Sequence, residues 1–191
     1  MSGASFRPET LSGAFVVIER GEKSKRRLPF QYNPARLTHR LRVGADGSRH
    51  ETIELTLELD ACQRLESPDD HPSTVELGLL PELAALRSLL DEGTAQRRSS
   101  LWGRLFRSAS DARRLLLLEW GEQRSVPVRM TSLLIREELF DPKLNPIRAR
   151  ARVKMAVVSG RELPAGDIGR PHVKAHRERL EALANRGFES S

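Results

Sequence analysis

The 191-residue chain has 38% hydrophobic and 30% charged residues, the balance of a soluble globular protein with one ordinary domain and a short appendage. It holds no apolar run near the roughly 20 residues that span a bilayer, so no membrane contact is expected, and the missing signal-peptide pattern at its start predicts a cytoplasmic protein. Its single cysteine, Cys62, excludes an internal disulfide, and the net charge of +6 leaves nucleic acid open as a partner.

The N-terminal third predicts antiparallel strands. Residues 1–12 are small and polar and predict a flexible terminus, and residues 14–19 predict a first strand. Residues 22–27 predict a solvated hairpin loop. A second strand follows, in which the large side chains lie on one face, and turn residues end this strand. The large side chains and the turn residues are Leu28, Phe30, Tyr32, Asn33 and Pro34.

Two more strands follow. Over 37–43, apolar residues including Leu41 and Val43 alternate with arginines, which predicts a half-buried strand. Residues 52–60 alternate most strictly, because four aliphatic residues face one way and polar residues the other. The aliphatic residues are Ile53, Leu55, Leu57 and Leu59. This pattern is typical of an antiparallel sheet with one face on the core and one in solvent.

The middle of the chain predicts a loop over 67–72 and then a helix, with Pro81 in its first turn and Gly93 just past its end. The leucines of that helix would cover the sheet. Residues 94–112 predict a surface insertion. Its short apolar segment, 101–106, either docks on a neighbouring molecule or forms a small separate apolar patch on its own domain.

The second half predicts strands over 115–120 and 126–140, joined by a turn at Gly121. The apolar parity changes within the longer strand, which predicts a bulge near Thr131 and Ser132. Trp120 and Phe140 are expected to be core residues on which folding depends.

A proline turn then precedes an alternating strand over 147–157. The turn contains Asp141, Pro142, Asn145 and Pro146, and the side chains of Asp141 and Asn145 are expected to bond to local backbone. Residues 13–160 are therefore expected to form one β domain, and 161–191 a linker and a helix over 171–185.

Nothing in the sequence assembles a catalytic constellation, so we expect no enzyme, no cofactor and no metal. His172 and His176 stand four apart on the predicted terminal helix, but two ligands do not make a metal site. We interpret Cys62 as a small half-buried residue rather than as a nucleophile. A hydrolase with an unfamiliar site remains an alternative without a candidate residue set.

A row of four cations on the last strand has two interpretations. The row is Arg148, Arg150, Arg152 and Lys154. Evenly spaced cations could neutralise phosphates in a nucleic-acid-binding β module. The interpretation that we favour is a solvated sheet face that meets the acidic row Glu54, Glu58 and Asp60, within or between subunits.

Several ordered motifs resemble the contractile injection system tube-protein family, which includes the LysM-type adaptor between spike and tube of phage-tail-like particles. The motifs cover roughly residues 13 to 160 and follow one another in the chain. They are Phe30-Gln31-Tyr32-Asn33-Pro34, the alternating strand that ends in Asp60, the short helix, Leu118-Glu119-Trp120-Gly121, Glu138-Leu139-Phe140-Asp141-Pro142 and Leu144-Asn145-Pro146-Ile147-Arg148-Ala149.

The resemblance implies a mainly β fold, a phage tail-tube-like antiparallel sandwich or barrel with a flanking helix. It further implies a homo-oligomer, a hexameric ring that joins the spike protein to the inner-tube proteins and contacts baseplate components of the particle. Members of the family often carry a C-terminal LysM domain, whereas only a linker and one predicted helix follow residue 160 here. That helix could substitute for LysM in attachment.

Overall fold

A computed structural model describes residues 11–21, 25–94 and 114–189 of the chain. Its strands are β1 (Ala14–Glu19), β2 (Lys25–Pro29), β3 (Leu37–Val43), β4 (Arg49–Asp60), β5 (Arg114–Glu119), β6 (Ser125–Phe140) and β7 (Pro146–Val157). Its helices are α1 (Cys62–Leu65), α2 (Pro72–Leu77), α3 (Leu80–Thr94) and α4 (Gly169–Glu189), and a 3₁₀ turn spans Pro68–Asp70.

All seven strands form one antiparallel sheet in the order β2-β1-β5-β6-β7-β4-β3. The expected fold class, mainly β with a flanking helix and a C-terminal helix, is confirmed. Helix α3 is the flanking helix, because its buried leucines belong to the same apolar cluster as the strands.

A side-chain clasp shows that the sheet curls back on itself. β2 is one edge of the sheet, and β4 is second from the other edge. The residue Gln31, just past β2, nevertheless donates from Nε2 to the carbonyl of Asp60 at 2.6 Å and accepts from the Asp60 N–H at 2.9 Å. A side-chain amide thus replaces a strand partner where the ladder does not close, and the sheet forms a nearly closed barrel.

The interior follows from the alternation of β4 and β7. Every second residue is buried over the central parts of both strands, namely Ile53, Leu55, Leu57, Leu59, Ala149, Ala151, Val153 and Met155. The α3 residues Leu83 and Leu86 and the preceding Leu79 belong to the same apolar cluster, and this packing stabilises the helix. The predicted bulge is also present, because the register between β6 and β7 shifts between Met130 and Ser132.

A smaller apolar cluster lies on the opposite side of β1 and β5. It contains Ala14, Val16, Leu115 and Leu117, with Ile168 of the linker packed against them. Within the linker, Asp167 accepts a hydrogen bond from the N–H of Gly169, the first residue of α4. Helix α4 begins there and is longer than predicted at both ends; its residues from 177 to 188 are exposed.

Three sequence predictions were wrong about exposure or bounds on the N-terminal side. β2 begins at Lys25, inside the predicted loop, and ends at Pro29, so Tyr32 leaves the strand and is half exposed. β3 forms as predicted, but Leu41 is 70% and Val43 is 73% exposed rather than half-buried. The reason is that β7 accompanies β4 only as far as the pair Thr52 and Ala156, so the β3–β4 hairpin extends beyond the strand that pairs with it.

The helical region also differs from expectation. The segment predicted as a loop over 67–72 includes a 3₁₀ turn and leads into α2 at Pro72, and α3 runs through Gly93 instead of ending before it. Residues 1–10, which include most of the predicted flexible terminus, and 95–113, which include most of the predicted insertion, lie outside the described residues.

Phe30→Ala is the substitution that we expect to damage the interior most directly. Phe30 is buried, stacks edge-on against Phe15 with ring centroids 5.1 Å apart and contacts Trp120 at 6.4 Å. Its truncation should lower the free energy of unfolding by about 3–5 kcal/mol in urea titrations. Tyr32→Ala, two residues away but half exposed, should change it by less than about 0.5 kcal/mol; equal losses would contradict this packing.

Candidate assembly surfaces

The four cations of β7 lie beside the acidic residues of β4 on the solvent side of the sheet. The antiparallel register places Arg148 opposite Asp60, Arg150 opposite Glu58 and Lys154 opposite Glu54. We call this surface the charged face, and it consists of Glu54, Glu58, Asp60, Arg148, Arg150, Arg152 and Lys154.

Ion pairs within the single chain neutralise the charged face. Nη2 of Arg148 lies 2.8 Å from Oδ2 of Asp60, and Nη1 of Arg150 lies 3.4 Å from Oε1 of Glu138 on β6. Further distances are 3.6 Å between Arg150 and Glu58, 3.5 Å between Arg152 and Glu54, and 3.5 Å between Lys154 and Glu54. The exposed pairs are weak individually, but they join three strands into one network.

Asp60 is the most connected residue of the charged face. The pKa of Asp60 lies below its ordinary value. The main cause is hydrogen bonding from the side chain and the backbone N–H of Cys62, and the Arg148 guanidinium adds to it. Hydrogen bonding to that carboxylate and burial raise the pKa of the Cys62 thiol in return. A thiol with a raised pKa is a poor nucleophile, which agrees with the interpretation of Cys62 as a structural residue.

The Phe30–Pro34 motif forms the rim at which the sheet closes. The Asn33 side chain accepts from the N–H of Gly13 and donates to the carbonyl of Leu11, both at 2.8 Å, so it satisfies the backbone that precedes β1. Gly13 has no room for a side chain, because an added Cβ would lie 2.7 Å from the Phe30 ring. The rim therefore joins the start of β1, the end of β2 and, through Gln31, the end of β4.

The second motif, Phe140–Pro146, is a tightly bonded turn between β6 and β7. Oδ1 of Asp141 accepts from the N–H groups of Lys143 and Asn145 at 2.8 Å, and Oδ2 accepts from Nδ2 of Asn145 at 2.9 Å. These bonds lower the pKa of Asp141, and the bond from the Asn145 side chain has the largest effect. The prediction that Asp141 and Asn145 bond locally is confirmed.

Exposure within this turn is unusual. Leu144 adopts a φ of 66°, rarely populated by a branched residue, and is 78% exposed. Phe140 is 49% exposed, so the prediction that it is a core residue was wrong: β6 outruns the core before it reaches the turn. Pro142 is exposed as well, whereas Pro146 is buried.

The same turn supports the helical end of the domain. Nδ2 of Asn145 donates to the carbonyl of Glu76, and the N–H of Leu79 donates to the carbonyl of Pro146 at 2.8 Å. Gly78 passes so close that a Cβ would lie 2.4 Å from the Pro146 oxygen, and its φ is +57°. The junction of α2 and α3 is thus held directly against the proline turn.

Besides β2, which is tied to the end of β4 through Gln31, two strand edges are open in the part of the chain that the structure describes. β3 pairs only with β4. β5 pairs with β6 only through Ser125 to Val128, so the residues of β6 from Met130 to Phe140 pair with β7 alone. The long strands β6, β7, β4 and β3 therefore form a four-stranded sheet whose two sides both offer backbone groups for pairing.

Two clefts flank the curled side of the sheet. One, of about 410 Å³, lies between Tyr32, Pro34 and the charged face. The other, of about 290 Å³, is more apolar and lies between the end of β2 and β4, with Leu86 of α3 among its lining residues. Neither cleft is lined by a His, Cys, Ser or Asp side chain.

The remaining candidate residues are the two histidines of α4. Burial lowers the pKa of both His172 and His176 on α4. Among the described residues, no three His, Cys, Asp or Glu side chains are placed to share a metal ion. Within that same part of the chain, no helix is long and apolar enough to cross a membrane.

The structure thus separates the sequence-predicted residues into three places. Phe30, Asn33 and Trp120 meet at the rim, with Gly121 in the adjoining turn at a φ of 65°. The Phe140–Pro146 turn joins β6 to β7 close to the Asp60 end of β4, and the charged face covers the solvent side of β4 and β7. Gln31, which closes the barrel, is part of the Phe30–Pro34 motif, but the sequence pattern predicts no role for it. Its polar position between two aromatic residues is the only sign of that role in the sequence.

A comparison with protein-family models finds no match, and a comparison with curated proteins finds none either. The family resemblance therefore depends on the ordered motifs of the sequence alone.

Asp60→Asn should remove an acid-sensitive part of the stability. A carboxylate with a lowered folded-state pKa stabilises the fold above its unfolded pKa, near 3.8, and that contribution is lost as the pH falls through the folded value. Urea unfolding between about pH 2 and pH 6 should therefore show a shallower pH dependence in Asp60→Asn than in the wild type. The exposed Asp70→Asn serves as the control, and equal slopes in both variants would refute the role of Asp60.

Proposed function

We propose that this chain is a structural ring subunit of a contractile injection particle, acting at the junction of spike and inner tube. The observation that carries the proposal is the four-stranded sheet of β6, β7, β4 and β3, with an open edge on each side. Open edges pair readily with another chain, and natural monomers cover or blunt them. Among the described residues, the four-stranded sheet of this chain keeps both of its edges open.

The edges suit a ring because they are different from each other. β3 of one copy would pair with the distal half of β6 in the next copy, a heterologous contact that closes into a ring when the rotation fits. Six copies, the number that the family resemblance implies, would then join their four long strands into a continuous barrel. Spike, inner-tube and baseplate proteins would be the neighbours of that ring.

In such a ring the charged face would line the lumen. The other side of β4 and β7 is filled by the core and α3, so it is not free to face a channel. The lumen wall would carry alternating rows of cations and carboxylates that pair within each subunit. A wall of this kind is wettable and does not bind strongly to a passing protein of either charge.

The same ion pairs count against the alternative of a nucleic-acid-binding module on β7. A phosphate would have to compete with Asp60 for Arg148 and with Glu54 for Arg152. No aromatic residue occurs on β7 to stack on a base. An enzymatic function lacks any constellation of described residues on which to build.

Leu134→Lys tests the ring. Leu134 lies in the open half of β6 and is 47% exposed, so a lysine there should leave the free energy of unfolding within about 0.5 kcal/mol of the wild type. A charge on the edge should block pairing, and negative-stain images of the purified chain should lose the rings formed by the wild type.

Leu183→Lys is the matched control, because Leu183 is 52% exposed and lies on α4 rather than on a strand edge. Rings should persist in this variant. If the wild type forms no rings at any concentration, or if Leu134→Lys forms them normally, pairing through β6 is wrong.

A further inference from the structure

The sheet has a seam between β2 and β4 that strand pairing does not close. β3 pairs with β4 only from Leu55 back to Arg49, and β2 pairs only with β1. Beside the rest of β4, the seam is bridged at one end by the Gln31 side chain, which bonds to the backbone of Asp60. The smaller of the two clefts, of about 290 Å³, lies along this seam, and we call it the seam cleft.

The seam cleft is an opening into the apolar core. Its apolar walls are Leu28 and Phe30 on one side, Leu57 and Leu59 of β4 on the other, and Leu86 of α3. All five residues belong to the main apolar cluster or pack against it. Because a cavity of roughly 150 Å³ holds a benzene molecule, the seam cleft has room for one aromatic side chain and part of the backbone that carries it.

Two polar residues of the same lining favour a peptide as the occupant. Arg64 and Glu82 form an ion pair, yet Nε of Arg64 and Oε2 of Glu82 are buried without a hydrogen-bond partner among the described residues. Buried polar atoms are normally hydrogen-bonded. An unpaired donor near an unpaired acceptor matches an extended peptide, which offers one carbonyl and one N–H per residue, whereas a hydrocarbon chain would leave both atoms unpaired.

The described chain begins close to the seam cleft. Its first residue, Leu11, accepts a hydrogen bond at its carbonyl from Nδ2 of Asn33, which is two residues from Gln31 in the lining of the cleft. Residues 1–10 precede this point, and Phe6 is the only aromatic residue among them. The five residues from Leu11 to Phe6 can span about 17 Å, more than the two residues from Asn33 to Gln31 can. Phe6 is therefore able to reach the cleft.

We propose that residues 1–10 dock across the seam, with the side chain of Phe6 in the seam cleft of the same chain. Successive side chains of an extended segment point to opposite faces, so Phe6 in the interior would place Arg7 on the solvent side, beside Glu58 of β4. The Glu58 side chain is 64% exposed and its nearest cation, Arg150, is 3.6 Å away, which leaves its carboxylate accessible to a second arginine. The docked segment would cover the opening that strand pairing leaves.

The tether favours the chain's own segment over other occupants. A segment joined to its site by a short linker has an effective concentration on the order of millimolar, which a second copy does not reach in a dilute sample. The larger cleft, of about 410 Å³, also lies beside Asn33, but its lining includes Arg36, Glu54 and Arg152. Those charged side chains suit a polar group, whereas the seam cleft suits the ring of Phe6.

Photo-crosslinking of the full chain tests where Phe6 lies. The photoreactive analogue p-benzoylphenylalanine at position 6 should link mainly to residues 28–31, residues 57–59 or Leu86, as identified by mass spectrometry of the digested protein. An equal mixture of heavy-isotope-labelled and unlabelled chains separates links within one chain from links between two chains. The same analogue in place of Phe188, which is 84% exposed on α4, is the matched control and should give no links to the seam cleft.

Hydrogen exchange of Phe6→Ser tests whether the phenyl ring holds the segment in place. The backbone amides of residues 3–10 should exchange at least about fivefold faster in this variant than in the wild type, because a docked segment is protected from exchange. Phe188→Ser, the same substitution at an exposed position, should leave that exchange unchanged. The amides of β4 and β7, measured in the same samples, report whether either variant has unfolded.

Three results would overturn the inference. They are links from position 6 that join two chains, which would make the seam cleft a contact between copies; links that show no preference for the cleft; and equal exchange of residues 3–10 in the wild type and in Phe6→Ser. The inference does not depend on the proposed ring, because the seam lies within one chain. Rings that form or fail to form in these samples bear on the proposed function alone.

Discussion

The hydrogen bonds between the Gln31 side chain and the Asp60 backbone are the constraint on which the rest of the domain depends. They tie the end of β2 to the end of β4 across a gap in the ladder and so hold the two ends of the curled sheet together. That curl brings Phe30 into the interior and leaves β3 outside the closure. The open strand edges, and the assembly that they allow, follow from where the barrel stops closing.

The sequence predicted the parts of the fold in which the hydrophobic period and burial agree. β4 and β7 alternate strictly, and the parity change in β6 marked the bulge at Ser132 because a one-residue slip exchanges the two faces of a strand. The same pattern misled where a strand outruns the core: Leu41 and Phe140 have core parity but are exposed. Periodicity reports which side a residue faces, and not whether anything lies there.

The candidate surfaces were predictable to a similar degree. The acidic row of β4 was an expected partner of the cations on β7, but only the register could show that the pairs form within one chain, with Arg148 on Asp60. The bonding of Asp141 and Asn145 followed from ordinary turn chemistry. The closure through Gln31 could not be foreseen, because it joins residues 29 positions apart without any periodic signal.

A tagged chain recovered from its native host under a high-salt wash tests the central claim most directly, with mass spectrometry and imaging of the eluate. The account predicts that spike, tube and sheath proteins accompany it, with images of contracted or extended particles that contain its ring. A chain that emerges alone would contradict the account, and so would a chain that carries only nucleic acid which salt removes, since protein contacts with a large buried core resist such a wash.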